Sequence, residues 1–292
     1  MVDEPTNPLN PEIEALLHPS LTEQSKIVAE VEAVQAAQSP ELPLLVASGL
    51  NKSFGGIRAI DNAAIEVRKG SITGLVGPNG AGKTTLFNLL LNFIRSDSGR
   101  VLFDGEPIHH LPPYRIARMG MVRTFQVARA LSRMSVMDNM LLAAQKQTGE
   151  NFWMTWFKQR EIAQEEKQQR QKAMEILESI GLAHMAAEYA GALSGGQRKL
   201  LEMGRALMTD PKLILLDEPA AGVNPTLINQ ICDRIQHWNQ EGLTFLIIEH
   251  NMDVIMSLCD RVWVLAEGRN LAAGTPAEIQ SNPEVLEAYL GQ

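Results

Sequence analysis

The stretch ITGLVGPNGAGKTTLFNLLLNF, from Ile72 to Phe93, decides the fold. It reads as a short strand, a glycine-rich turn and a helix in direct succession. The turn, GPNGAGKT from Gly77 to Thr84, fits the pattern G-x-x-x-x-G-K-[ST], with the strand and helix that this pattern requires on either side. Gly77, Gly80 and Gly82 let the chain curl so that successive N–H groups point inward, and Pro78, Asn79 and Ala81 complete the loop between them. The N-terminus of the helix adds partial positive charge at the same spot. Lys83 is placed to neutralise β- and γ-phosphate oxygens, Thr84 to offer its hydroxyl to Mg2+, and Thr85 to donate to a neighbouring phosphate. A turn that merely capped a helix would not need the Lys-Thr pair, so this stretch is expected to bind a nucleoside triphosphate.

Outward from that loop the pattern alternates. On its N-terminal side lie β-rich runs, LLVASGL from Leu44 and NAAIEVRKG from Asn62; on its C-terminal side come RVLFDG and GMVRTFQ. After Gln126 the β pattern stops until Leu213, and Ser135 to Leu207 reads as mostly helical. Strands return in LILLDEP, TFLIIEH and RVWVLAEG, separated by the helical TLINQICDRIQHWNQ and NMDVIMSLC. This order predicts an α/β domain over residues 44–292, with a mainly parallel sheet flanked by helices and a helical subdomain inserted at about 127–207. Residues 1–43, rich in Pro, Glu, Gln and Ala and closing on SPELP, read as a flexible N-terminal extension in which Ile27, Val31 and Val34 have the spacing of a short helix.

Composition narrows the function. The chain has 292 residues and carries 26 Lys and Arg against 34 Asp and Glu, a formal charge of −8, which argues against an electrostatic grip on nucleic acid. No run approaches the roughly 20 apolar residues of a spanning helix, and the acidic start lacks the basic region of a secretory signal, so a soluble cytoplasmic chain is expected. Cys232 and Cys259 have no metal-type spacing and read as buried thiols.

Four apolar residues, Leu213 to Leu216, precede Asp217 and Glu218 and predict a strand buried on both faces. Open α/β sheets bind ligands beyond the carboxyl ends of their strands, so both carboxylates should emerge beside the phosphate loop. Asp217 is then the expected partner of Mg2+ through a water, and Glu218 the group that polarises a water for attack on the γ-phosphorus. The run TFLIIEH delivers His250 to the same edge.

A second glycine turn, LSGGQ from Leu193 to Gln197, lies between the lysine loop and LILLDEP. It resembles the signature of the ATP-binding cassette (ABC) ATPases, and the resemblance runs from Leu44 to about Gly291, with its landmarks in the family's order. It implies the ABC ATPase fold: a RecA-like P-loop core, an antiparallel β subdomain and an inserted α-helical subdomain. It further implies Phe54 for adenine stacking, Gln126 in RTFQ as a sensor of Mg2+ and the attacking water, and His250 as the switch that holds the γ-phosphate and Glu218 in register. The signature residues Leu193, Ser194, Gly195, Gly196 and Gln197 would cover the ATP of a second, homologous or identical, ATPase subunit. Ser194, Gly195 and Gly196 also open a helix whose N–H groups call for an anion. PAAGVNP matches the dimer-facing loop, with Asn224 where many members have Asp, which keeps a short polar cap and loses the charge.

GMVRTFQ, DEPAAGVNP, IIEHNMDVIMSLCDRVWVL and the closing LAAGTPAEIQSNPEVLEAYLG resemble the larger ATPase subunit of importers for branched-chain and other neutral amino acids. Similar subunits drive urea import and lipopolysaccharide extraction, and a soluble ABC ATPase without a membrane partner is the alternative from another class. The importer reading implies two separate transmembrane permease subunits, a periplasmic or extracellular binding protein, and a peripheral position on the cytoplasmic face of the inner membrane. FWMTWF, Phe152 to Phe157, is either a docking face for a membrane subunit or a small local core, and the charged helix after it reads as a solvated face.

Overall fold

The computed structural model describes residues 43–124, 130–144 and 159–290. Gln126, Phe152 to Phe157 and the extension before residue 43 lie outside the described residues.

Three five-residue strands form the centre: β3 (Ile72–Val76), β7 (Leu213–Asp217) and β8 (Thr244–Ile248), every residue of which is buried. Continuous apolar runs of this kind need cover on both faces. They sit in a six-stranded sheet of order β10-β9-β3-β8-β7-β6, with β6 at Met121–Arg123, β9 at Arg261–Ala266 and β10 at Arg269–Gly274. All pairings are parallel except β10 with β9. Because side chains alternate across a strand, Leu213, Leu215, Leu246 and Ile248 face one core with Leu86, Phe87 and Leu90 of α1 (Lys83–Leu90). Ile214, Leu216, Phe245 and Ile247 face the other, with Leu200 and Leu201 of α5 and Ile231 and Ile235 of α6. Those helices span Gly195–Leu207 and Pro225–Gln240.

A second, antiparallel sheet of order β2-β1-β4-β5 joins the first of these cores, its strands being β1 (Leu45–Phe54), β2 (Ile57–Val67), β4 (Ser98–Phe103) and β5 (Glu106–Pro107). Helix α2 (Pro113–Arg118) leads into β6. No strand interrupts the described residues between β6 and β7, where α3 (Val136–Leu141), α4 (Gln159–Ser179) and α5 pack on one another through Met140, Ala173, Leu177 and Leu201. Past β8 come α7 (Met252–Leu258) and, at the end of the chain, α8 (Pro276–Gln280) and α9 (Pro283–Leu290).

Two features depart from the sequence reading. After β9, Glu267 and Gly268 both take positive φ, 49° and 78°, the two-residue turn that folds a chain back on itself, and the small, polar RNLAAG becomes edge strand β10. Cys259 is buried as expected, and burial pushes its thiol up to about 12, but Cys232 is only half-buried on α6.

Candidate functional site

Parallel pairing aligns the ends of four strands at one edge. Leu75 of β3 is level with Ile248, Ile248 with Asp217, and Leu215 with Arg123. The loops after β3, β6, β7 and β8 therefore share one rim, the place where an open sheet presents its ligand site.

The phosphate loop begins at Gly77, with φ 151°; a Cβ there would lie 2.0 Å from the Leu265 carbonyl oxygen of β9, so only glycine fits. Gly80 has φ 79° and open space around it, so its requirement is conformational alone. Lys83 folds inward, 6% exposed, its Nζ donating to the carbonyls of Gly77 at 2.7 Å and Pro78 at 2.9 Å. Burial lowers its pKa from the ordinary lysine value, and the nearby Glu218 and Asp217 carboxylates oppose that shift. Helix α1 starts from Gly82 with no side-chain cap, so its first-turn N–H groups have no partner from their own helix or cap. Thr84 is exposed there and Thr85 half-buried. Tyr289 of α9 stands against the same loop: burial pushes its phenol up and the Gly77 backbone amide draws it back.

Asp217, 4% exposed, ends β7 and pairs with Arg123 at 2.5 Å. The other terminal nitrogen of Arg123 donates to Asn88 Oδ1 of α1 at 2.7 Å, and its guanidinium lies 5.8 Å from the Phe87 ring centre. Glu218 takes φ 51°, an uncommon conformation for a residue with a Cβ, pinned by its amide donating to the Ile248 carbonyl at 2.9 Å. Its carboxylate meets His250 Nε2 at 2.5 Å. Glu249, 3% exposed, accepts from the amides of Ala220 at 2.7 Å, His250 at 3.0 Å and Asn251 at 3.3 Å. Lys83, Asp217, Glu218 and His250 thus converge as the spacing predicts. Arg123 and Glu249 join them without having been expected; the only sequence signal for either is a charge at the end of an apolar run.

At the signature turn, Leu193 is buried while Ser194 and Gly195 are exposed. Ser194 Oγ accepts from the Gln197 amide at 3.3 Å and Gln197 Oε1 accepts from the Ser194 amide at 2.9 Å, a reciprocal capping box. The helix start that was expected to call for an anion is thus partly satisfied by its own side chains. Asn224 caps α6, its Oδ1 accepting from the Leu227 amide at 2.9 Å, so the short polar cap expected there is present. Phe54 ends β1 with 47% of its surface exposed and the Lys52 ammonium 5.5 Å from its ring centre.

The family model described as ABC transporter matches residues 60–221, more than half of the chain. The chain belongs to the ABC transporter family. A second model, described as branched-chain amino acid ATP-binding cassette transporter, matches residues 269–292. The chain is 42% identical to the probable branched-chain amino acid transport ATP-binding protein LivG of Archaeoglobus fulgidus over 86% of its own length and 96% of that protein's. Against the high-affinity branched-chain amino acid transport ATP-binding protein BraF of Pseudomonas aeruginosa it is 40% identical, covering 86% and 98%. A crystal structure of a nucleotide-free ATP-binding cassette from an ABC transporter superimposes with TM-score 0.74 at 39% identity, covering 86% of this chain and all of that one. The fold is the ABC ATPase fold, and this ABC protein is an ATP-hydrolysing transporter subunit.

Proposed function

We propose that this ABC ATPase powers an importer for branched-chain or other neutral amino acids, and that its catalytic centre is Lys83, Asp217, Glu218 and His250. The observation that carries the catalytic part is the 2.5 Å contact of Glu218 with His250 on the rim that also carries the Lys83 loop. Lys83 and the first-turn amides of α1 bind the phosphates of ATP. Glu218, held by His250 and by its own constrained backbone, takes the proton of the attacking water. Names of relatives support the amino-acid substrate over urea or lipopolysaccharide.

The oxygen donors suit Mg2+, an ion that keeps several waters and takes phosphate oxygens rather than a full protein cage. Thr84 supplies a hydroxyl, and Asp217, already paired with Arg123, suits contact through a water; Gln126 is the third proposed ligand. When bound, Mg2+ neutralises charge developing on the phosphate oxygens.

Each ATP on the Lys83 loop is proposed to be covered by Leu193 to Gln197 of a second ABC subunit, with Asn224 in the loop between them and Phe54 against adenine. Two permease subunits and a binding protein complete the transporter, with no nucleic-acid partner. A peripheral seat on the cytoplasmic face of the inner membrane is part of this proposal, and it is the names of relatives as transport ATP-binding proteins that support it; among the described residues no helix is long and apolar enough to cross a membrane.

Glu218→Gln is expected to lower hydrolysis by about 10²- to 10⁴-fold, and to leave a dimer on size-exclusion chromatography in ATP. A variant that stays monomeric in saturating ATP contradicts the two-subunit site. Uptake assays on a deletion strain test the cargo: loss of leucine, isoleucine and valine uptake is expected, and loss of urea uptake alone overturns it.

A further inference from the structure

Lys199 lies on α5, three residues after Gly196 and so on the same helix face. Its Nζ donates to the carbonyls of Glu218 and Pro219, each at 3.2 Å, and to that of Ala221. An ammonium has three N–H donors and no acceptor, so three converging carbonyls use its whole capacity. Burial lowers the pKa of this lysine, and the carboxylates of Glu249, Glu218 and Glu202 oppose that shift.

A second contact lies at Gly196. A Cβ there would stand 1.7 Å from Leu227 Cδ2, so this glycine is a notch in which a leucine from the first turn of α6 seats. Gly195, by contrast, has nothing within 4 Å of the same construction. On the other side of the turn, Glu249 holds the Ala220 amide. The Glu218–Ala221 segment is therefore gripped by a cation through its carbonyls and by an anion through an amide.

We infer that Lys199 is a positioning residue that locks the signature helix to the Glu218–Ala221 turn of its own subunit, with Leu227 in the Gly196 notch as the second point of attachment. Movement of α5 is then delivered to the water-activating carboxylate. The inference rests on Glu218 being that carboxylate and α5 covering a partner's ATP. Given both, occupancy of one ATP site adjusts the base of the other through side chains of a single chain.

Lys199→Met keeps the stem and removes the charge and donors; Lys199→Arg restores both. In the full-length protein, the Met variant is expected to lose about tenfold or more in kcat, the scale of a charge-assisted contact. Affinity for a fluorescent ATP analogue and the melting temperature should hold, and Arg should recover most of the rate. A Met variant at wild-type kcat, or one losing affinity and rate together, overturns the inference. Gly196→Ala should slow turnover by pushing Leu227 out, and Leu227→Ala added to it should restore part of the rate; no recovery overturns the notch. If Glu218→Gln still turns over, the reading of Glu218 itself is wrong; if Glu218→Gln is inactive and Lys199→Met is not impaired, only the positioning role fails.

Discussion

Helices α1 and α5 both begin at a glycine turn, yet their first turns are finished differently. Gly82 leaves α1 with no side-chain cap, whereas Ser194 and Gln197 close part of α5 reciprocally. The α1 loop is also built into the protein, with Gly77 pressed against the Leu265 carbonyl and Lys83 buried; the α5 turn exposes Ser194 and Gly195. A helix start that lacks its own side-chain cap leaves its first-turn amides for another partner, and beside a glycine loop an anion suits them. A capped and exposed helix start is stable alone and keeps only its outermost amides for a visitor. On the proposed function the first is a grip and the second a cover.

Gly77→Ala is the strongest way to break that contrast. Positive φ and overlap with Leu265 together cost about 2–5 kcal/mol, enough to lower the melting temperature sharply; Gly80→Ala, with φ alone against it, should cost about 1–2 kcal/mol. Lys83→Ala comes next, weakening ATP binding by roughly 10- to 150-fold, as loss of charged hydrogen bonds predicts, measurable by analogue titration. Ser194→Ala removes the cap and should cost about 1 kcal/mol of stability while impairing turnover and leaving ATP binding to the monomer nearly intact. Equal loss of binding and turnover would erase the distinction between grip and cover. The smallest effect on stability is expected for Gly195→Ala, whose open surroundings leave the melting temperature unchanged; a fall in its turnover would place the lesion at the partner's nucleotide.

Residues whose chemistry is written in local spacing are legible in the sequence alone. The lysine loop, the carboxylates after LILL and the histidine after TFLIIE each announce a strand end, and a parallel sheet brings strand ends together. Ser194 and Gln197 stand in plain sight as S-x-x-Q, but the glycines between them point toward an anion and hide the capping box that the same spacing encodes. Arg123, Lys199, Leu227 and Glu249 are not legible. Arg123 finds Asp217 across 94 residues, Lys199 finds carbonyls about 20 residues on, and Ala220 finds Glu249 after 29. No periodicity specifies which distant backbone group a long side chain will reach. Strand β10 is hidden for the opposite reason, since its residues are small and its pairing comes from the turn that leads into it.

Tyr289 brings α9 to the first glycine of the phosphate loop. For anyone handling this protein, the choice of where to fuse an affinity tag or reporter is therefore not neutral. A C-terminal fusion hangs its load a few residues past Tyr289, close to the loop proposed to hold the phosphates of ATP, and trimming α9 removes that tyrosine. Activity data from C-terminally tagged material should be paired with an untagged control before any rate is assigned to the enzyme.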